Sequence, residues 1–114
     1  MNNSVNEKSF RFAIKIVDLY RLLSDTKKEF VMSKQLLRCG TSIGANVAEA
    51  QQAQSRADFV AKLSISLKEA CETNYWLRLL HATGYISDDV FSSYIDTCRE
   101  LERMLTAIIK STKP

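Results

Sequence analysis

Apolar residues recur along this chain at three- and four-residue spacing, and no stretch alternates in the strand manner between turn residues. The pattern predicts an all-α chain with helices over residues 7–24, 33–53, 56–83 and 88–111. At about 1.5 Å per residue, such helices run roughly 27 to 42 Å, which suits an antiparallel up-down four-helix bundle. The punctuation agrees. Ser55 and Asp58 imitate a capping box before the third helix, Gly84 suits a left-handed close, and Ile86, Ser87 and Phe91 read as a staple around the fourth N-cap, with Asp88 and Asp89 complementing its dipole.

Two helices carry more apolar surface than one core face requires. In the first, Phe12, Ile16, Leu19 and Leu23 align on one stripe, while Phe10, Ala13, Ile14, Val17 and Tyr20 spread over the next sector. Only Lys8, Arg11, Lys15 and Asp18 form a clearly solvated strip. In the third, Val60, Leu63, Leu67 and Cys71 read as the inner seam, and Ile65, Trp76 and Leu79 fall opposite, among Lys62, Glu69 and Glu72. A tryptophan in a charged seam either anchors an interface or packs on its own chain; Ile65, Glu69, Glu72, Trp76 and Leu79 are the candidate self-association face.

The second helix places Gly40, Gly44 and Ala48 four residues apart, a shallow ridge that a large residue or another backbone can approach. Glycine costs about 1 kcal/mol against alanine inside a helix, so a packing reason is expected. Ser42, Asn46 and Glu49 share a polar face without an activating base nearby, which favours structural hydrogen bonding over catalysis.

At 114 residues with one proline, the chain reads as one domain spanning residues 1–114. No 18-residue apolar run exists, and the polar N-terminus Met1-Asn2-Asn3-Ser4 shows no basic region followed by an apolar segment, so neither a membrane span nor a signal peptide is expected and a cytoplasmic location is. Cys39, Cys71 and Cys98 lack any C-x-x-C pairing and read as reduced core or interface residues. The single histidine, His81, reads as a helix-terminal residue suited to the dipole, with no metal implied.

Charge adds a polarity. Residues 1–40 hold eight basic against four acidic side chains, and the rest of the chain eight against nine. Lys8, Arg11, Lys15, Lys27, Lys28, Lys34 and Arg38 are therefore the candidate phosphate contacts, set against the plainer reading of a solvated face. Aromatic interleaving is absent from this reading, which favours backbone or duplex contact over base stacking. Neither a phosphate-cradling glycine loop nor a catalytic triad can be assembled, so an enzyme is not expected.

The run Gln35–Glu49 reads Q-L-L-R-C-G-T-S-I-G-A-N-V-A-E. It resembles the Q-x-x-R-x-x-x-S-I-x-x-N-I-A-E signature of bacterial four-helix-bundle proteins encoded in some species by intervening sequences inside 23S rRNA genes. Gln35, Arg38, Ser42, Ile43, Asn46, Ala48 and Glu49 match, and Val47 replaces isoleucine. Ser55, Asp58, Phe59, Leu63, Glu69, Glu72, Trp76, Leu77 and Leu80 fit the same family's third helix. That family includes the accessory protein that works beside the reverse transcriptase of diversity-generating retroelements. Where it often has glycine after Ala-Glu, this chain has Ala50-Gln51-Gln52, so a longer second helix is expected. The resemblance implies a ring-like homo-oligomer, a homopentamer by preference, with no cofactor and no catalytic residues. A closed ring needs two different surface patches in contact, and the extra apolar sectors of the first and third helices offer two. Two functions follow as expectations: an accessory factor for structured RNA or DNA, or a scaffold for a reverse transcriptase or other protein.

Overall fold

The computed structural model describes residues 3–112 and contains four α-helices: α1 (Asn3–Arg21), α2 (Met32–Ala50), α3 (Arg56–Ala82) and α4 (Asp88–Thr112). Met1 and Asn2 of the polar N-terminal run lie outside the described residues. A π-helical turn, Leu22–Thr26, extends α1. The first helix thus starts at Asn3 rather than at residue 7, and its last turn is wider than an α-turn, with the Lys27 N–H donating to the Leu22 carbonyl at 3.2 Å. The second helix ends at Ala50 rather than running on to residue 53. Gln51 and Gln52 close it with backbone bonds to Ala48 and Glu49 at 3.2 and 3.0 Å, so the missing glycine does not lengthen it.

Cross-helix contacts set the register. Gly40 meets Ile16 and Gly44 meets Ser9; Arg38 meets Glu72 and Glu49 meets Lys62; Lys8 meets Glu100 and Lys15 meets Ser93. In each pair of helices, rising numbers on one side meet falling numbers on the other, so these neighbours run antiparallel and the connection is up-down. The molecule measures 45 × 20 × 19 Å.

The first helix buries the stripe its periodicity marked: Phe12, Ile16, Leu19 and Leu23 are all sealed from solvent. Leu36, Ile43 and Val47 of α2, Leu63, Leu77 and Leu80 of α3, and Leu101 and Leu105 of α4 complete the core. In α3 the inner line differs from the expected one. Leu63, Ser66, Ala70, Thr73, Leu77 and Leu80 are buried, Val60 and Leu67 are half-buried, and Cys71 is exposed. Packing against both α2 and α4 selects the face between those partners, and small Ser66, Ala70 and Thr73 let the helices close in. Ser66 donates its hydroxyl to the Ile43 carbonyl at 2.8 Å, which satisfies the polar atom that the fit buries.

The glycine ridge has two different reasons. A Cβ on Gly40 would stand 2.8 Å from Ile16 Cγ1 and 2.9 Å from its Cγ2, so a large side chain does fill the groove there. At Gly44 the opposing surface is backbone: its Cβ would lie 3.1 Å from the Ser9 carbonyl oxygen. Ala48, the third member of the ridge, is exposed.

The N-terminus of α2 is held by Glu29. Its buried carboxylate accepts the backbone N–H groups of Val31, Met32 and Ser33 at 3.1, 3.0 and 2.7 Å, and the Ser33 hydroxyl donates to the Glu29 carbonyl at 2.7 Å. Burial alone would raise this carboxyl; the amides of Met32, Ser33 and Val31 outweigh it and hold the group below its ordinary 4.5. Elsewhere the caps follow the sequence. Ser55 Oγ accepts the Asp58 N–H at 3.0 Å, with Asp58 returning to the Gln54 N–H rather than to that of Ser55, and Gly84 takes φ +84°. His81 ends α3 with Nε2 2.7 Å from Asp88 Oδ1 and its ring stacked on Phe91 at 4.2 Å.

Replacing Gly40 with alanine should recover about 1 kcal/mol of helix propensity yet lose more to overpacking against Ile16, giving a net loss of roughly 1 kcal/mol in urea unfolding. A net gain would show that α1 can slide. Glu29→Gln should cost about 1–2 kcal/mol at neutral pH. Because the folded-state value is depressed, the wild-type advantage is whole above pH 4.5 and fades as pH falls through that lower value, so the two unfolding curves converge in acid. Parallel curves down to low pH would exclude the charged cap.

Candidate nucleic-acid interface

The seven basic candidates fall into two groups. Lys8 pairs with Glu100 at 3.2 Å, and Arg11 with Glu7 at 3.6 Å in its own helix. Lys15 donates to Ser93 Oγ at 3.3 Å and lies 5.0 Å from the centre of the Tyr94 ring, whose hydroxyl donates to the Lys15 carbonyl at 2.8 Å. The strip that reads as solvated on α1 is thus partly a seam onto α4. Arg38 bridges α2 to α3 through Glu69 at 3.3 Å and a close contact with Glu72.

Lys27, Lys28 and Lys34 are different. All three are exposed and make no ion pair among the described residues. They lie in the connection from α1 to α2 and in the first turn of α2. The π-turn leads into Lys28 at φ +57°, a left-handed conformation uncommon outside glycine, and Leu23 and Glu29 anchor the segment from either side. The chain therefore presents Lys27 and Lys28 from a fixed loop. Sequence reasoning treated this patch as lacking aromatics. The structure corrects that: Phe30 is 53% exposed and Val31 73% exposed, between Lys28 and Lys34. The signal lies in the string Lys-Lys-Glu-Phe-Val, where Phe30 falls in the connection between two predicted helices.

Of the Gln35–Glu49 signature, Arg38, Ile43 and Glu49 meet α3, whereas Ser42 and Asn46 bond within α2. Ser42 Oγ donates to the Arg38 carbonyl at 2.7 Å, Asn46 Nδ2 donates to the Ser42 carbonyl at 2.8 Å, and Glu49 takes Lys62 at 3.0 Å. Gln35 is exposed and Ile43 is core. On α3, Trp76 Nε1 donates to Glu72 Oε2 at 3.0 Å while its ring packs partly against the core of its own chain. The indole, then Arg38, hold the Glu72 carboxyl below its ordinary range. Arg38, Glu69, Glu72 and Trp76 thus form one network between α2 and α3, with Ile65 (42% exposed) and half-buried Leu79 beside it.

No thiol here is poised as a nucleophile. Burial pushes Cys39 up to about 11 and Cys98 further still, and exposed Cys71 is also raised, by desolvation and by Glu102. Among the described residues, no three histidine, cysteine or carboxylate groups are placed to share a metal ion, and no helix is long and apolar enough to cross a membrane.

The comparisons with known proteins match nearly the whole chain rather than one face of it. Residues 1–107 fit the family described as 23S rRNA-intervening sequence protein. The chain belongs to that family. Among solved structures it is similar to a protein of unknown function from the S23 ribosomal protein family of Bacteroides thetaiotaomicron, at 56% identity over 96% of this chain and 97% of that one, with a TM-score of 0.94. No curated protein matches it.

In this 23S rRNA-intervening sequence family member, the lone tryptophan reports on the α2–α3 network. Glu72→Ala should shift its emission to longer wavelength by wetting the indole, while costing only about 1 kcal/mol or less, since the network sits near the surface. An unchanged spectrum would mean that core packing alone holds the ring.

Proposed function

We propose that the chain is a non-enzymatic, self-assembling accessory factor of the 23S rRNA-intervening sequence type that holds nucleic acid by its phosphates in the cytoplasm. The observation that carries this is the set of Lys27, Lys28 and Lys34, exposed around the α1–α2 connection and without an ion pair among the described residues. Lys8, Arg11, Lys15 and Arg38 take a lesser part because each already has a partner in the fold. A ring would repeat the lysine cluster around its axis, so that a weak contact per subunit becomes a strong one for the assembly.

Self-association has two surfaces to draw on, as a closed ring requires. One is the α1–α2 face, where Phe10 (68% exposed) and Ile14 (51%) stand beside a groove of about 290 Å³ lined by Phe10, Ala13, Thr41, Gly44, Ala45 and Ala48. The other is the α3 face around Ile65 and Leu79. The homopentamer is the assembly the family resemblance favours, and no cofactor is invoked. The groove also supports a second reading, a scaffold for a reverse transcriptase or other protein, in which the α1–α2 face takes that partner.

The test is a titration against structured RNA and duplex DNA at several salt concentrations. Affinity should fall steeply with salt, and the Lys27→Glu, Lys28→Glu, Lys34→Glu triple variant should lose binding while keeping its size in light scattering. Binding that is absent at low salt, or indifferent to the triple variant, removes the reading.

A further inference from the structure

The α1–α2 tip carries more than charge. Leu22 is 41% exposed, Phe30 53% and Val31 73%, so three apolar side chains stand in water among Lys27, Lys28 and Lys34. Their exposure is fixed by what lies between them. Leu23 is fully buried and Glu29 nearly so, which pins both ends of the segment, and the left-handed Lys28 turns the chain between those pins. A phenyl ring held outward from an anchored loop loses little freedom on meeting a flat partner.

The ligand must be anionic and must also cover an aromatic face. A duplex offers its charged backbone and would leave Phe30 and Val31 wet. A protein surface would cover them, but three side chains fall short of the roughly 800 Å² per partner of a standard interface. A single strand supplies both halves at once, since its unstacked bases have exposed π-faces and its phosphates lie within reach of flanking lysines. The helix terminus does not compete for those phosphates, because Glu29 already takes the first amides of α2.

We infer that this tip binds single-stranded nucleic acid, with a base stacked on the Phe30 ring and the adjoining phosphates held by Lys27, Lys28 and Lys34. The inference rests on the nucleic-acid reading above and narrows it from backbone contact to stacking on an unpaired strand. Val31 and Leu22 border the stacked base and shield it from water.

The experiment is fluorescence anisotropy with a labelled oligouridylate and with a blunt RNA duplex of equal length, on the intact protein. The oligouridylate should bind more tightly than the duplex. Phe30→Ala should weaken it roughly tenfold, whereas Phe30→Tyr, which keeps a ring, should bind within about twofold of wild type. Phe30 is exposed, so circular dichroism should be the same for all three proteins. Equal affinity for the duplex, or an oligouridylate affinity unmoved by Phe30→Ala, overturns the stacking inference and leaves backbone contact standing. Failure of both probes to bind at low salt overturns the proposed function and this inference together.

Discussion

The close crossing of α1 and α2 is the constraint on which the rest of this bundle depends. Ile16 sits against Gly40, and the Ser9 backbone against Gly44, so closely that a side chain on either glycine would force its neighbour to shift. Bringing two backbones this near turns the Phe12–Leu23 stripe fully inward. It also leaves α1 with a second apolar sector that has nowhere to go within one chain, so Phe10 and Ile14 stand outside. The excess apolar surface of α1 is thus a geometric companion of the tight crossing.

Much of the fold was legible because each helix declares its core face by spacing and its ends by local chemistry. The α1 stripe, the Ser55 cap and the Gly84 close all follow from residues that act on near neighbours in sequence. The seam of α3 was less legible. Its buried line includes Ser66 and Thr73, polar residues admitted because a carbonyl three or four residues away or on the facing helix accepts their hydroxyls; Cys71, which looked apolar enough for the core, faces outward. Tertiary partners, not hydropathy, chose that face.

The candidate site shows the same division. Charge counting found the basic half of the chain but could not tell a paired lysine from a free one. That distinction arises between α1 and α4 for Lys8 and Lys15, and between α2 and α3 for Arg38, all long-range contacts. Glu29 was counted as one acid among four, yet its carboxylate is buried against the amides of α2 rather than set out among the lysines as a surface charge. Family resemblance reached the four-helix fold, whereas its signature residues bond within α2 or, at Arg38, Ile43 and Glu49, bridge it to α3, and say little about a ligand.

The π-turn at Leu22–Thr26 has an evolutionary consequence. Such a turn is in effect one residue more than an α-helix needs, and each residue advances the chain by about 100° around the helix axis. Deleting a single residue there would return α1 to regular winding and turn the connecting segment about the helix axis, Lys27, Lys28 and Phe30 included. The direction in which this tip points is therefore governed by chain length rather than by side-chain identity. Relatives that differ by one residue in this segment would present the same lysines in a different direction relative to buried Leu23.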